Sequence, residues 1–307
     1  MRGQVYRSTG SWYVVKADDG EIYQCRLRGK FKQHDLKVNN PIAVGDFVEI
    51  EADEQHENAA AITEIKQREN YMIRKSTRKS SFSHILASNI DQSLLLTTIS
   101  FPRTSLGFID RFLVSSESFG IPGLVVFNKK DILKPTEFKQ VDEWREIYET
   151  IGYETELISV HEDEGLSVIQ ERLEGKTTLI SGHSGVGKST LLNSIVPNIE
   201  LRTGKVSTFA NKGTHTTTFA EMFEIDEHTK VIDTPGIKEL GLVDMKPYEI
   251  SHYFPEMRKY IGECKFNNCL HINEPKCKVL EALIEGEIFT SRYNSYVSML
   301  EDHDSHR

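Results

Sequence analysis

Residues 177–195 read TTLISGHSGVGKSTLLNSI: a β-branched apolar run, a glycine loop, then helix-forming residues. Gly182, Gly187, Lys188 and Ser189 fit G-x-x-x-x-G-K-[ST], and the strand before and helix after are the context this pattern requires. The glycines let backbone N–H groups close around phosphate oxygens, and the helix N-terminus adds its positive dipole end. The whole loop, Gly182, His183, Ser184, Gly185, Val186, Gly187, Lys188, Ser189 and Thr190, is therefore a candidate phosphate cradle. Lys188 is expected to reach the β- and γ-phosphates and Ser189 to ligate Mg²⁺. A bland glycine turn before a helix is the minority alternative.

Four further segments bear on the same ligand. Asn128, Lys129, Lys130 and Asp131 form N-K-x-D after the strand pattern GLVVF. A carboxylate there can accept from guanine N1–H and N2–H₂, a donor pair that adenine lacks. The Lys129 stem can pack on the base and Asn128 can brace the loop. Ser159 and Val160 end the next strand pattern and can offer backbone to the base. KGTHTTT, 212–218, supplies a threonine for the Mg²⁺ shell, Thr217 being favoured over Thr216. DTPG, 233–236, places Asp233 to hold Mg²⁺ through water and the Gly236 N–H to sense the γ-phosphate. Singly these matches are weak to moderate, and ordinary polar loops would also satisfy them.

Their order is informative. A small GTPase runs phosphate loop, switches, NKxD, then the Ser-containing loop; this chain runs NKKD, ISV, GHSGVGKS, THTTT, DTPG. Accident would scramble the pieces, whereas circular permutation keeps the cycle, and it is tolerable because domain termini often lie close together. The chain then leaves this domain directly after DTPG. Where Ras-like enzymes place a water-orienting Gln, the residue is Ile237, which cannot hydrogen-bond. His215 is the nearest substitute, and its imidazole can orient water near neutral pH.

Around the motifs, residues 87–240 alternate strand and helix patterns, which implies a doubly wound, mostly parallel α/β sheet. Residues 1–68 are richer in short strand patterns: WYVVKA, EIYQCRL, GDFVEIEA and AAAITEIKQ, with an Asp19-Gly20 turn between the first two, suggest a small barrel. Residues 69–86, basic and Ser-rich, read as a linker or mobile arm. After Gly236 the strands stop, and 241–307 form a separate unit in which 247–262 and 278–300 have helical patterns. Formal net charge is −9, which argues against nonspecific nucleic-acid binding by the whole surface. Residues 66–79 nonetheless carry six basic residues and one acidic one. Arg2, Arg7, Arg26, Arg28, Lys30 and Lys32 also interleave with Tyr6, Trp12, Tyr13, Tyr23 and Phe31, a pattern suited to phosphates and stacked bases, although barrel aromatics are usually core. No apolar run approaches the ~20 residues of a membrane span, and the first residues lack the apolar core of a signal peptide, so a cytoplasmic protein is expected.

Cys264, Cys269, His271 and Cys277 give C-x₄-C-x-H-x₅-C, a Cys₃His set of the kind that holds a tetrahedral zinc. With all four positions filled the site is expected to be closed and structural, stapling a small helical domain. Scattered thiols beside a surface His are the alternative.

Taken together, the barrel, the permuted NKKD–GHSGVGKS–DTPG order, Ile237 and the Cys/His spacing closely resemble the bacterial ribosome small subunit-dependent GTPase A (RsgA) family, over essentially the whole chain. The resemblance implies an N-terminal OB fold, a circularly permuted P-loop GTPase domain and a C-terminal helical zinc domain. It implies one Zn per chain, Mg with GTP or GDP, and GTP hydrolysis stimulated by the 30S subunit and its 16S rRNA late in that subunit's maturation. It also places the family's proposed catalytic His on His215. A monomer with no membrane partner is expected. Two other readings stay open on the residues: a nucleotide-regulated binding module with negligible turnover, which Ile237 permits, and an ATP-using enzyme, since the phosphate loop alone does not choose the base.

Overall fold

A computed structural model describes residues 1–28, 40–53, 55–75, 83–201, 220–234 and 245–304. The N-terminal strands are β1 (Arg2–Ser8), β2 (Tyr13–Ala17), β3 (Ile22–Leu27), β4 (Phe47–Ala52) and β5 (Ala59–Ile65). They close into a barrel: β1–β2, β2–β3, β5–β4 and β4–β1 are antiparallel, and β3–β5 is parallel. This is the Greek-key arrangement of an OB-type barrel. Alternation fills its interior with Val5, Tyr13, Val15, Ala17, Cys25, Val48, Ile50 and Ile62.

The second unit holds β8 (Gln92–Thr97), β9 (Gly123–Phe127), β10 (Glu154–Leu157), β11 (Thr177–Gly182), β12 (Glu221–Glu224) and β13 (Lys230–Asp233). Their order across the sheet is β10-β9-β8-β11-β13-β12, parallel except for β12. The chain enters at β8 and leaves at β13, and both flank the central strand β11. That placement is what the permuted motif order requires: β8 and β13 become the ends of the unit without any change in strand neighbours. Helices α1 (Leu106–Ser118) and α2 (Pro135–Ile151) cover one face through Ile109, Phe112, Leu113, Val141 and Trp144. Helices α3 (Leu166–Leu173) and α4 (Lys188–Ile195) cover the other through Ile169, Leu173, Leu191, Leu192 and Ile195.

The expectation of a linker or arm over 69–86 is corrected. Strands β6 (Tyr71–Lys75) and β7 (Ser83–Ser88) pair antiparallel, and Met72, Ile73, Leu86 and Ala87 are buried. The basic, Ser-rich composition concealed a few apolar residues that non-local packing buries. The barrel and the sheet are also continuous: β1 pairs antiparallel with β12 at Arg7 and Glu221. Across that seam Glu224 accepts from Lys16 Nζ at 2.7 and 2.8 Å and from the Tyr6 hydroxyl, and Lys230 Nζ donates to Gln4 Oε1 at 2.8 Å.

The C-terminal residues form a 3-10 segment (Pro247–Tyr253) and helices α5 (Pro255–Arg258), α6 (Lys278–Glu285) and α7 (Thr290–Asp304). Their core, with Phe254, Met257, Val279, Tyr296 and Met299, includes Val114 from α1. Arg292, 1% exposed, bonds Asp110 Oδ1 of α1 at 2.7 Å and Glu256 Oε1 at 2.7 Å, so a buried charged network ties this unit to the sheet.

Candidate functional site

Because β8, β9, β10, β11 and β13 are parallel, their C-terminal ends open along one edge, the usual position for ligands in such sheets. The loops that follow β9, β10, β11 and β13 carry the residues singled out above. Asn128, 4% exposed, links three of them: its Nδ2 donates to Val186 O at 2.8 Å, and its Oδ1 accepts from Val160 N at 3.1 Å. Val160, expected to offer backbone to a base, gives its N–H to Asn128. Gly187 is required on two counts: its φ is +102°, and a Cβ would lie 2.4 Å from Asn128 Nδ2.

Lys129 adopts a left-handed conformation, φ 69°, and its ammonium donates to Phe101 O at 2.5 Å. Burial lowers its pKa, opposed by the nearby Asp131. The Lys130 N–H donates to Ile158 O at 3.0 Å, and its ammonium pairs with Glu164. Asp131 lies exposed, with Oδ1 accepting from the Ser159 hydroxyl at 2.6 Å. Ser159 is itself fully buried and exchanges backbone bonds of 3.0 and 2.9 Å with Glu164. The carboxylate edge is thus aimed by a hydroxyl from the adjacent loop.

In the phosphate loop, a Cβ on Gly182 would meet Leu96 O at 2.4 Å, so glycine permits the close backbone approach. Val186 is fully buried. Ser184 and Gly185 are exposed, and Ser189 and Thr190 half-buried. Gly187 caps α4 and has no side chain with which to occupy the first-turn N–H groups. Lys188, buried, is ion-paired with buried Asp233 and donates to Thr234 O at 2.7 Å. The ends of β11 and β13 are thereby joined by the cation and carboxylate assigned to phosphate and Mg²⁺. His183 stacks on Phe108 of α1, ring centroids 3.8 Å apart at 29°. Burial lowers its pKa. His215, Thr216, Thr217, Gly236 and Ile237 lie outside the described residues. Sequence reasoning missed Phe101 and Phe108; both are distant in sequence from the loops they touch and belong to no motif.

The ligand atoms of Cys264, Cys269, His271 and Cys277 lie within 4.8 Å of one another. Cys264 Sγ is 3.6 Å from His271 Nδ1 and 3.9 Å from Cys277 Sγ, and His271 Nδ1 is 3.3 Å from Cys277 Sγ. Ligands of a tetrahedral zinc, with Zn–S about 2.3 Å and Zn–N about 2.0 Å, would be separated by about 3.5–3.8 Å, so the set fits. The Tyr293 and Tyr296 hydroxyls donate to the carbonyls of His271 and Leu270, each at 2.7 Å, which pins the loop to α7.

Comparison with known proteins agrees along the chain. The family model described as RsgA GTPase matches residues 65–243, and that of the RsgA N-terminal domain matches residues 2–60. The small ribosomal subunit biogenesis GTPase RsgA of Cytophaga hutchinsonii is 50% identical over 307 residues, all of both chains. Its namesake in Christiangramia forsetii is 48% identical, covering 100% of this chain and 98% of that one. Among solved structures, YjeQ from Thermotoga maritima aligns with TM-score 0.76 at 35% identity over 98% of this chain and 97% of its own. YloQ, described as a circularly permuted GTPase, aligns with TM-score 0.73 at 29% identity over 100% and 96%. The chain, with its barrel, permuted sheet and Cys₃His cluster, belongs to the RsgA GTPase family.

Proposed function

We propose that this chain is a Mg-dependent GTPase that acts in biogenesis of the small ribosomal subunit, with GTP hydrolysis stimulated by that subunit. The observation that carries the reading is Asn128, whose one side chain ties the guanine loop to both the phosphate loop and the Ser159–Val160 turn. Asp131 accepts from guanine N1–H and N2–H₂, and the Lys129 stem covers the base. Backbone N–H groups of 183–188 and the Lys188 ammonium hold the phosphates. On binding, Lys188 exchanges Asp233 for the β- and γ-phosphates, leaving that carboxylate, with Ser189 and Thr217, to a divalent cation. Mg²⁺, when bound, neutralises charge developing on the phosphate oxygens. His215 orients the attacking water, and Gly236 reports the γ-phosphate. Cys264, Cys269, His271 and Cys277 hold a structural zinc.

We assign residues 1–68 to rRNA binding, 87–240 to the G domain and 241–307 to the zinc domain. Trp12, 42% exposed with the Arg26 guanidinium 3.8 Å over its ring, supports RNA contact by the barrel; Tyr13, by contrast, is core. Among the described residues no helix is long and apolar enough to cross a membrane. The test is GTP turnover titrated with small, large and joined ribosomal particles. The small subunit alone should raise turnover strongly; equal rates with and without it would refute the reading.

A further inference from the structure

The phosphate loop has glycine at 182, 185 and 187, the last two at φ +87° and +102°, so its backbone has little stiffness of its own. Two side chains anchor it, one on each face of the sheet. Val186 is buried among Leu94, Leu96, Ile180 and Leu191 on the α4 face. His183 reaches the α1 face, where its ring stacks on Phe108. Ser184, between them, is exposed and anchors nothing by burial.

The support beneath His183 is firm. The Phe108 N–H is held by the Ser105 N-cap hydroxyl at 3.3 Å. Beyond it in the helix, Ile109, Phe112 and Leu113 are packed in the sheet core. Asp110 bonds Tyr148 OH at 2.8 Å and Arg292 Nη1 at 2.7 Å, and Glu117 at the far end of α1 pairs with Arg258 at 3.1 Å. The helix is thus tied to α2 and to the C-terminal unit, and Phe108 presents its ring to the loop from that anchored helix.

We infer that Phe108 is a positioning residue for GTP: its ring holds His183 and so keeps the N–H groups of residues 183–188 arranged to receive phosphate. This rests on the GTP reading of the loop. The ring-on-ring stack makes the contact with Phe108 one of packing, and burial, which lowers the His183 pKa, works against a charged imidazolium there.

The experiment uses the full chain with Phe108→Leu, which keeps apolar bulk but cannot stack, His183→Ala, and the double variant. Phe108→Tyr and His183→Phe serve as aromatic rescues. Affinity for Mg·GDP and for a non-hydrolysable GTP analogue, KM, kcat and the thermal midpoint are measured for each. Phe108→Leu and His183→Ala should each weaken nucleotide binding and raise KM about three- to tenfold, with kcat largely kept. The double variant should be no worse than the weaker single, and both rescues should bind like wild type. Unchanged affinity in either single variant, additive losses in the double, or failed rescue would overturn the inference. If Phe108→Leu does not fold, His183→Ala against His183→Phe decides alone. A wild type that binds no guanine nucleotide would sink the GTP reading itself; a wild type that binds, with variants to match, would sink only this inference.

Discussion

Replacing Asn128 by alanine removes two buried hydrogen bonds, to Val186 O and from Val160 N, and separates the guanine loop from both neighbours. Each bond contributes about 1 kcal/mol net, more where the abandoned partner stays dry. The amide lies 2.4 Å from where a Gly187 Cβ would sit, and about 1 kcal/mol is taken for each of the two bonds it makes. The sum is about 2 kcal/mol. That energy now pre-organises the loops and would have to be supplied on binding, so Mg·GDP affinity should fall roughly 30-fold. Asn128→Asp should be worse. It keeps the shape but sets a carboxylate oxygen against the Val186 carbonyl and buries a charge at a 4% exposed position. Isothermal titration of the three proteins measures both effects. Alanine within threefold of wild type, or aspartate milder than alanine, would refute the assignment of Asn128 as the tie between loops.

The purified chain should carry one zinc by elemental analysis, and Cys277→Ser should lose it along with the C-terminal unit's protection from proteolysis. Arg292→Ala should lower stability by about 3–5 kcal/mol, since Asp110 and Glu256 would be left as buried carboxylates without their cation; denaturant unfolding followed by tryptophan fluorescence would reveal it. His215→Ala should lower GTP turnover while nucleotide affinity is kept, and unchanged turnover would remove His215 from the mechanism.

Much of the site was legible because its chemistry needs particular side chains at fixed spacing. A phosphate cradle needs Gly182, Gly187 and Lys188 between a strand and a helix, and a zinc loop needs its ligands close in sequence. The α/β alternation was equally plain, since buried parallel strands such as GLVVF stand out from amphipathic helices. What escaped was decided by contacts between distant segments. Strand β1 has only Val5 and Tyr6 as apolar residues, and it exists because β2, β4 and β12 pair with it. The β6–β7 hairpin was masked by basic and Ser-rich residues around Met72 and Leu86. The helical pattern over 247–262 breaks into a 3-10 segment and a short helix at Pro255, and that over 278–300 breaks at Gly286, φ +82°. Phe108 against His183, and Asp110 against Arg292, have no local signal at all.

The most direct test of the account is nucleotide choice at Asp131. If segments in permuted order close around one guanine nucleotide, Asp131→Asn should lose GTP affinity and gain affinity for xanthosine triphosphate, whose C2 carbonyl accepts where guanine donates. A parallel loss for both nucleotides, or no change for either, would contradict it.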